Sequence, residues 1–158
     1  MKILFSAFKG NNNSSKLLLD KIVSDHKLYL TNSFKTSVLE LYDELENNNY
    51  DLIVSFGQAP LNEDTIKIET TAKGNVNYTT SFDYNYLFEN LKNDYKLIVS
   101  NDAGNYLCNN IYYYGLEFIK LNNLNTKMIF IHIPKIKNIT NLEKLSKNIE
   151  LFLDKKGV

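Results

Sequence analysis

The strongest constraint on this chain is a set of short apolar runs that each end at a glycine, a proline or a polar turn. Lys2–Phe8, Asp51–Phe56, Lys96–Ser100 and Lys127–Ile133 are four such runs. They have the length of strands in a sheet covered on both faces, and between them the apolar spacing becomes helical. Ser14 or Asn13 caps a first helix with Leu17, Leu18 and Ile22 on its buried face. His26 ends that helix, where a cation suits the dipole. Leu28–Thr31 is a short strand. Ser33 then caps a helix to about Glu46, with Val38, Leu41, Tyr42 and Leu45 at three- and four-residue spacing. Thr65–Ala72 sets Ile66 and Ile68 against polar neighbours, as in a half-exposed strand, and Asn75–Ser81 is loop. Asp83–Asn93 carries Tyr86, Leu87 and Leu91 at helical spacing. Asn141 caps a last amphipathic helix through Leu142, Leu145, Ile149, Phe152 and Leu153. Strands alternating with helices predict an α/β fold, a three-layer α/β/α sandwich with a largely parallel central sheet. Lys2–Phe8 is expected at its centre, with Lys96–Ser100 buried and with Gly57 and Pro134 ending their strands. A length of 158 residues predicts one domain spanning 1–158.

Composition removes several classes of function. The 18 basic residues are all lysines and balance 18 acidic ones, so the net charge is zero. That gives no electrostatic case for nucleic acid or an anionic membrane. Without arginine, no bidentate phosphate or carboxylate clamp is available. Gly10–Lys16 lies between a strand and a helix as a P-loop would. It lacks the second glycine, however, and Leu17 stands where a Mg²⁺-binding hydroxyl is needed. One cysteine and two histidines leave too few of the usual ligands for a metal centre, so no metal or cofactor is expected. A single cysteine also excludes an internal disulfide and fits a reducing, cytoplasmic setting. The N-terminal run is too short for a signal segment, and no apolar stretch approaches the ~20 residues of a membrane span.

The chemistry concentrates in Ser100–Gly115, S-N-D-A-G-N-Y-L-C-N-N-I-Y-Y-Y-G, and in His132 of I-F-I-H-I-P. A strand leads through a glycine turn into a helix that runs to about Asn122, which puts Cys108 in the first helical turn. Orphan N–H groups and the positive end of the dipole favour a thiolate there. His132 comes 24 positions later at the carboxyl end of its own strand. Open α/β sheets gather their sites beyond those strand ends, so the two form a candidate nucleophile and base. Tyr112–Tyr114, on the same helix, read as core or interface packing.

These segments resemble the signature of the pyroglutamyl-peptidase I (pyrrolidone-carboxylate peptidase) family. S-F-G-Q-A-P at 55–60 resembles its V-G-x-A-G-G strand end, I-E-T-T-A at 68–72 its E-R-x-A block, and Met1–Phe8 its opening strand and aromatic loop. The resemblance implies that Cys108 is the nucleophile, His132 the base and Glu69 the third catalytic group. It further implies that Phe8, Gln58, Tyr106 and Leu107 line the substrate pocket. Peptides with an N-terminal pyroglutamate (5-oxoproline) would be the partners, and a homo-oligomer is left open. Glu63 and Asp64 are nearby rivals for the acidic role. The chain departs from the family in three places. Lys9-Gly10-Asn11 stands where a second loop aromatic is expected, Pro60-Leu61-Asn62 replaces G-G-R, and the stretch from Glu69 to Cys108 is short. A thiol amidase with another small N-acyl substrate, or a non-catalytic binding domain on the same scaffold, are the alternatives.

Overall fold

The structure is a computed structural model that describes the backbone of residues 1–156 and the side chains through residue 151. A six-stranded sheet is built from β1 (Ile3–Phe8), β2 (Lys27–Leu30), β3 (Leu52–Gln58), β4 (Thr65–Glu69), β7 (Lys96–Ser100) and β8 (Lys127–Ile133). Its order is β2-β1-β3-β8-β4-β7. A small hairpin, β5 (Thr71–Ala72) and β6 (Tyr78–Thr79), stands apart from it. One face carries α1 (Ser14–Lys21), α3 (Asn85–Leu91) and α5 (Leu142–Lys156), packed through Leu18, Leu19, Ile22, Leu87, Leu91, Leu145 and Ile149. The other carries α2 (Phe34–Asn47) and α4 (Leu107–Leu121), packed through Val38, Leu41, Leu45, Ile111, Tyr112 and Leu116. This is the expected three-layer sandwich. Among the described residues no helix is long and apolar enough to cross a membrane.

The helix starts follow the capping residues. Asn13 Oδ1 accepts from the Ser15 N–H at 2.9 Å, Ser33 Oγ from Thr36 N–H at 3.2 Å, and Asn141 Oδ1 from Lys144 N–H at 3.0 Å. Several expectations need correction. α1 stops at Lys21, because Ile22 is extended and its N–H closes on Leu18 and Leu19. His26 therefore lies beyond the helix, edge-on to Tyr50, and Leu19 rather than Leu17 joins the buried face. β1 is interior, but β3 and β8 hold the centre of the sheet. Part of the expected loop pairs as β6 with β5. The side chains of Phe152 and Leu153 lie outside the described residues.

Two strands differ for physical reasons. β4 is buried rather than half-exposed, with Ile66 and Ile68 in the core, and it runs antiparallel to β8. Residues 59–64 are too few for the crossover a parallel connection needs, so the chain turns back at the same end of the sheet. β7 is the outer edge, not a buried strand, and Ile98 and Val99 are 38% and 45% exposed. An apolar run reads alike in the centre and at the rim, because only the neighbouring strands decide which it is.

Lysine at Ile98 or Val99 should therefore cost about 0.5 kcal/mol or less in urea unfolding. A loss of about 3 kcal/mol or more, as for a charge forced into a core, would contradict this placement of β7.

Candidate active site

The site lies on the α4 face of the sheet, across three neighbouring strands. In the register, Gly57 of β3 is opposite His132 of β8, and His132 is opposite Lys67 of β4. One row further back, Phe130 is opposite Glu69, and Glu69 opposite Ser100. Residues two apart on a strand share a face, so Glu69 and His132 lie diagonally across one strand gap. His132 Nδ1 and Glu69 Oε1 are 3.1 Å apart. The Glu69 side chain is 0% exposed, and Oε2 has no hydrogen-bond partner among the described residues. A buried carboxylate favours a charged or N–H-donating partner. The ring is therefore assigned with Nδ1–H donating and Nε2 left as the acceptor.

α4 sets the cysteine against this row. Tyr106 is extended at the N-cap and makes no side-chain cap, so Leu107 and Cys108 open the helix with free N–H groups in its first turn. Gly57 makes the close approach possible. A Cβ built there would lie 2.6 Å from Cys108 Sγ and 2.9 Å from the Phe130 ring. The thiol thus rests on the strand position beside His132. Gly57 lies inside β3 rather than ending it, and its hydrogen serves the packing of the sulfur. Further along the same helix face, Tyr112 donates its hydroxyl to the Glu69 carbonyl oxygen at 2.8 Å. One helix thereby positions both the sulfur and the backbone of the carboxylate residue.

The electrostatics differ from the expectation of a helix-stabilised thiolate. Burial pushes the Cys108 thiol up to about 12, and the charge of Glu69 adds to the rise. The resting group is a neutral thiol. No hydrogen bond links it to His132 among the described residues.

The other expected site residues divide. Phe8 and Leu107, 4% and 7% exposed, belong to the apolar cluster against which Cys108 packs. Tyr106 is 66% exposed and meets the Phe34 ring edge-to-face at 5.3 Å, beside a cavity of about 220 Å³ that both line. Gln58, half-buried at the end of β3, spends its side-chain oxygen on the Ser14 N–H at the start of α1 (2.9 Å). Glu63 and Asp64 precede β4 and bind Thr140, so Glu69 is the carboxylate that reaches His132. Sequence reasoning missed Asn109, whose side chain bonds both the N–H and the carbonyl of Lys73 (2.9 and 2.8 Å) and pins the start of α4 to the segment after β5. It also missed Lys67, whose Nζ is 3.6 Å from Glu69 Oε1. Strand alternation with Glu69 could have signalled it. Among the described residues no three His, Cys, Asp or Glu side chains gather as a metal site.

A lone cysteine at a helix start, next to a histidine bonded to a buried carboxylate, is the layout of a cysteine hydrolase. Comparison with known proteins narrows the class. A family model described as pyroglutamyl peptidase matches residues 62–151. The pyrrolidone-carboxylate peptidase of Brachyspira hyodysenteriae is 34% identical over 133 residues, covering 70% of this chain and 66% of that protein. Pyrrolidone-carboxylate peptidase 1 of Caldanaerobacter subterraneus is 29% identical over 167 residues, covering 85% and 82%. The solved pyrrolidone carboxyl peptidase of Fervidobacterium islandicum superposes with a TM-score of 0.82 at 24% identity, covering 96% of each chain, and so shares the fold. The chain belongs to the pyroglutamyl peptidase family, a family of cysteine peptidases.

Two outcomes follow from this geometry. Gly57→Ala should lower stability by ~1–3 kcal/mol in urea unfolding, since the methyl group must displace the sulfur or the Phe130 ring. An unchanged midpoint would mean that the thiol is not seated there. Because the thiol is raised, its thiolate fraction climbs about tenfold per pH unit below the midpoint. Alkylation by iodoacetamide should be slow at pH 6 and still rising at pH 9. A rate that has already levelled at pH 6 would contradict the raised thiol.

Proposed function

We propose that this protein is a cysteine exopeptidase that removes an N-terminal pyroglutamyl residue from peptides, with Cys108 as nucleophile, His132 as base and Glu69 as the group that orients it. The observation that carries the reading is the Glu69–His132 contact at 3.1 Å beside the seat of the Cys108 sulfur on Gly57. Membership of the family supplies the reaction class and the substrate.

A neutral thiol favours general-base attack over a standing ion pair. His132 Nε2 takes the thiol proton while Sγ bonds to the carbonyl carbon of the pyroglutamyl group. The oxyanion that forms is met by the free backbone N–H groups at the start of α4, around Asn105–Cys108. The imidazolium, stabilised by Glu69, returns the proton to the leaving amine as the C–N bond breaks. A water molecule, deprotonated by His132, then cleaves the thioester and restores the thiol. Each step moves one proton through one nitrogen, and the ring stays tethered by Nδ1.

The substrate ring is small, flat and uncharged, and suits a pocket that is mostly apolar with a few polar contacts. Phe8 and Leu107 provide the apolar side next to Cys108. A second reading, a thiol amidase for another small N-acyl group, draws on Gln58. Its side-chain oxygen accepts from the Ser14 N–H, which turns that oxygen toward α1.

Hydrolysis of a fluorogenic pyroglutamyl amide tests both readings, set beside acetyl and prolyl amides of the same leaving group. The proposal expects selective release of pyroglutamate, with Cys108→Ala and His132→Ala each lowering kcat by about a thousandfold or more and Glu69→Gln by roughly tenfold to a thousandfold. Preference for another acyl group, with the same dependence on Cys108 and His132, would replace the substrate and keep the chemistry. Turnover that survives Cys108→Ala would overturn both.

A further inference from the structure

Lys67 is placed to act on the Cys108–His132 pair without touching a substrate. It sits directly across the strand gap from His132, in the same cross-sheet row as Gly57 and the thiol it seats. Its ammonium group is 3.6 Å from Glu69 Oε1, the same oxygen that His132 Nδ1 approaches at 3.1 Å. The Glu69 side chain is fully out of water, while that of Lys67 is 30% exposed. Beyond the lysine an open trough of about 780 Å³, lined also by Thr70, Thr79, Thr80, Ser100 and Asn101, keeps its far side solvated. A carboxylate with that burial calls for a compensating charge close by. The unpartnered Oε2 adds to that demand, and Lys67 is the cation that answers it.

We infer that Lys67 is a positioning residue that balances the Glu69 carboxylate beside His132 and sets the pH range over which Cys108 and His132 exchange a proton. The inference rests on the proposed roles of these two residues. With His132 neutral, Lys67 and Glu69 cancel, so the thiol meets a site without net charge. When the proton crosses, thiolate and imidazolium again cancel. Without the lysine, the same pair works beside an unbalanced negative charge, and every proton in the cluster becomes harder to lose. Both limbs of a pH profile must then move to higher pH, whichever of the two groups each limb reports. Burial and the Glu69 charge push Cys108 upward, and the lysine stands 3.6 Å from the oxygen that carries that charge. The other titrating or charged groups around the cluster are Tyr112 on α4, with its hydroxyl on the Glu69 carbonyl, and Asp102 after β7. Asp102 also feels Lys67 and is paired with Lys73 at 3.5 Å.

The test compares wild type with Lys67→Met, which keeps the apolar stem, with Lys67→Gln, and with Lys67→Arg, which keeps the charge. Two profiles are recorded on the full chain from pH 5 to 10: kcat/KM for the pyroglutamyl amide, and the iodoacetamide rate of Cys108, which needs no turnover. The expected result in Lys67→Met and Lys67→Gln is an acid limb displaced upward by ~0.5–1 pH unit and an alkylation rate lowered about three- to tenfold at each pH, both recovered in Lys67→Arg. Superimposed profiles would overturn the inference. So would a uniform loss of rate with an unmoved limb, which marks a merely structural lysine. If wild type does not cleave the pyroglutamyl amide, the proposed function fails, and the alkylation series still decides the role of Lys67.

Discussion

The molecule depends on keeping one carboxylate, that of Glu69, out of water and bonded to a histidine. A fully buried charge is tolerated only with close compensation, and here it comes from His132 across a strand gap and from Lys67 two residues back on the same strand. That requirement fixes the sheet. β4 must lie beside β8, and the short connection after β3 makes it run antiparallel there. The antiparallel step in an otherwise parallel six-stranded sheet is what places Glu69, rather than a residue at the other end of β4, on the imidazole.

The second constraint is closeness. Side chains hold a helix off the sheet it covers, and the sulfur comes nearer to β3 than a side chain at position 57 would allow. Gly57 supplies the space beneath Cys108, and Gly115 does the same further along α4, where a Cβ would lie 2.5 Å from Met128 Sδ. Tyr112 and Asn109 then tie the helix to Glu69 and Lys73 by hydrogen bonds to backbone. Seated so low, the thiol pays in solvation for what it gains in position, and it rests protonated. In the proposed reaction it is His132 that takes the proton at the moment of attack.

Much of this was legible in the sequence, for identifiable reasons. The apolar runs and the capping residues Asn13, Ser33 and Asn141 are local signals, and they located strands and helices within a few residues. Cys108 and His132 stood out because their residue types are rare in the chain. Glu69 could be singled out from Glu63 and Asp64 only by a resemblance, because strand pairing, which decides what a carboxylate faces, is not local. The same limit explains β7. Its sequence is as apolar as that of a central strand, but its position at the edge is set by the order of the other five. Gly57 read as a strand terminator because a glycine needed for close approach has the same one-letter signature as one needed for a turn. That the Gln58 side-chain oxygen accepts from the start of α1 was not legible, because nothing local reveals that contact.

The account stands most directly on a covalent intermediate. Protein mixed with a slow pyroglutamyl ester, quenched in acid within the first turnovers and digested, would be analysed by mass spectrometry for acylated peptides. The account predicts one pyroglutamyl group on the peptide that contains Cys108, forming rapidly in wild type and only at a trace level in His132→Ala. Turnover without acylation of Cys108, or acylation that proceeds equally well without His132, would contradict it.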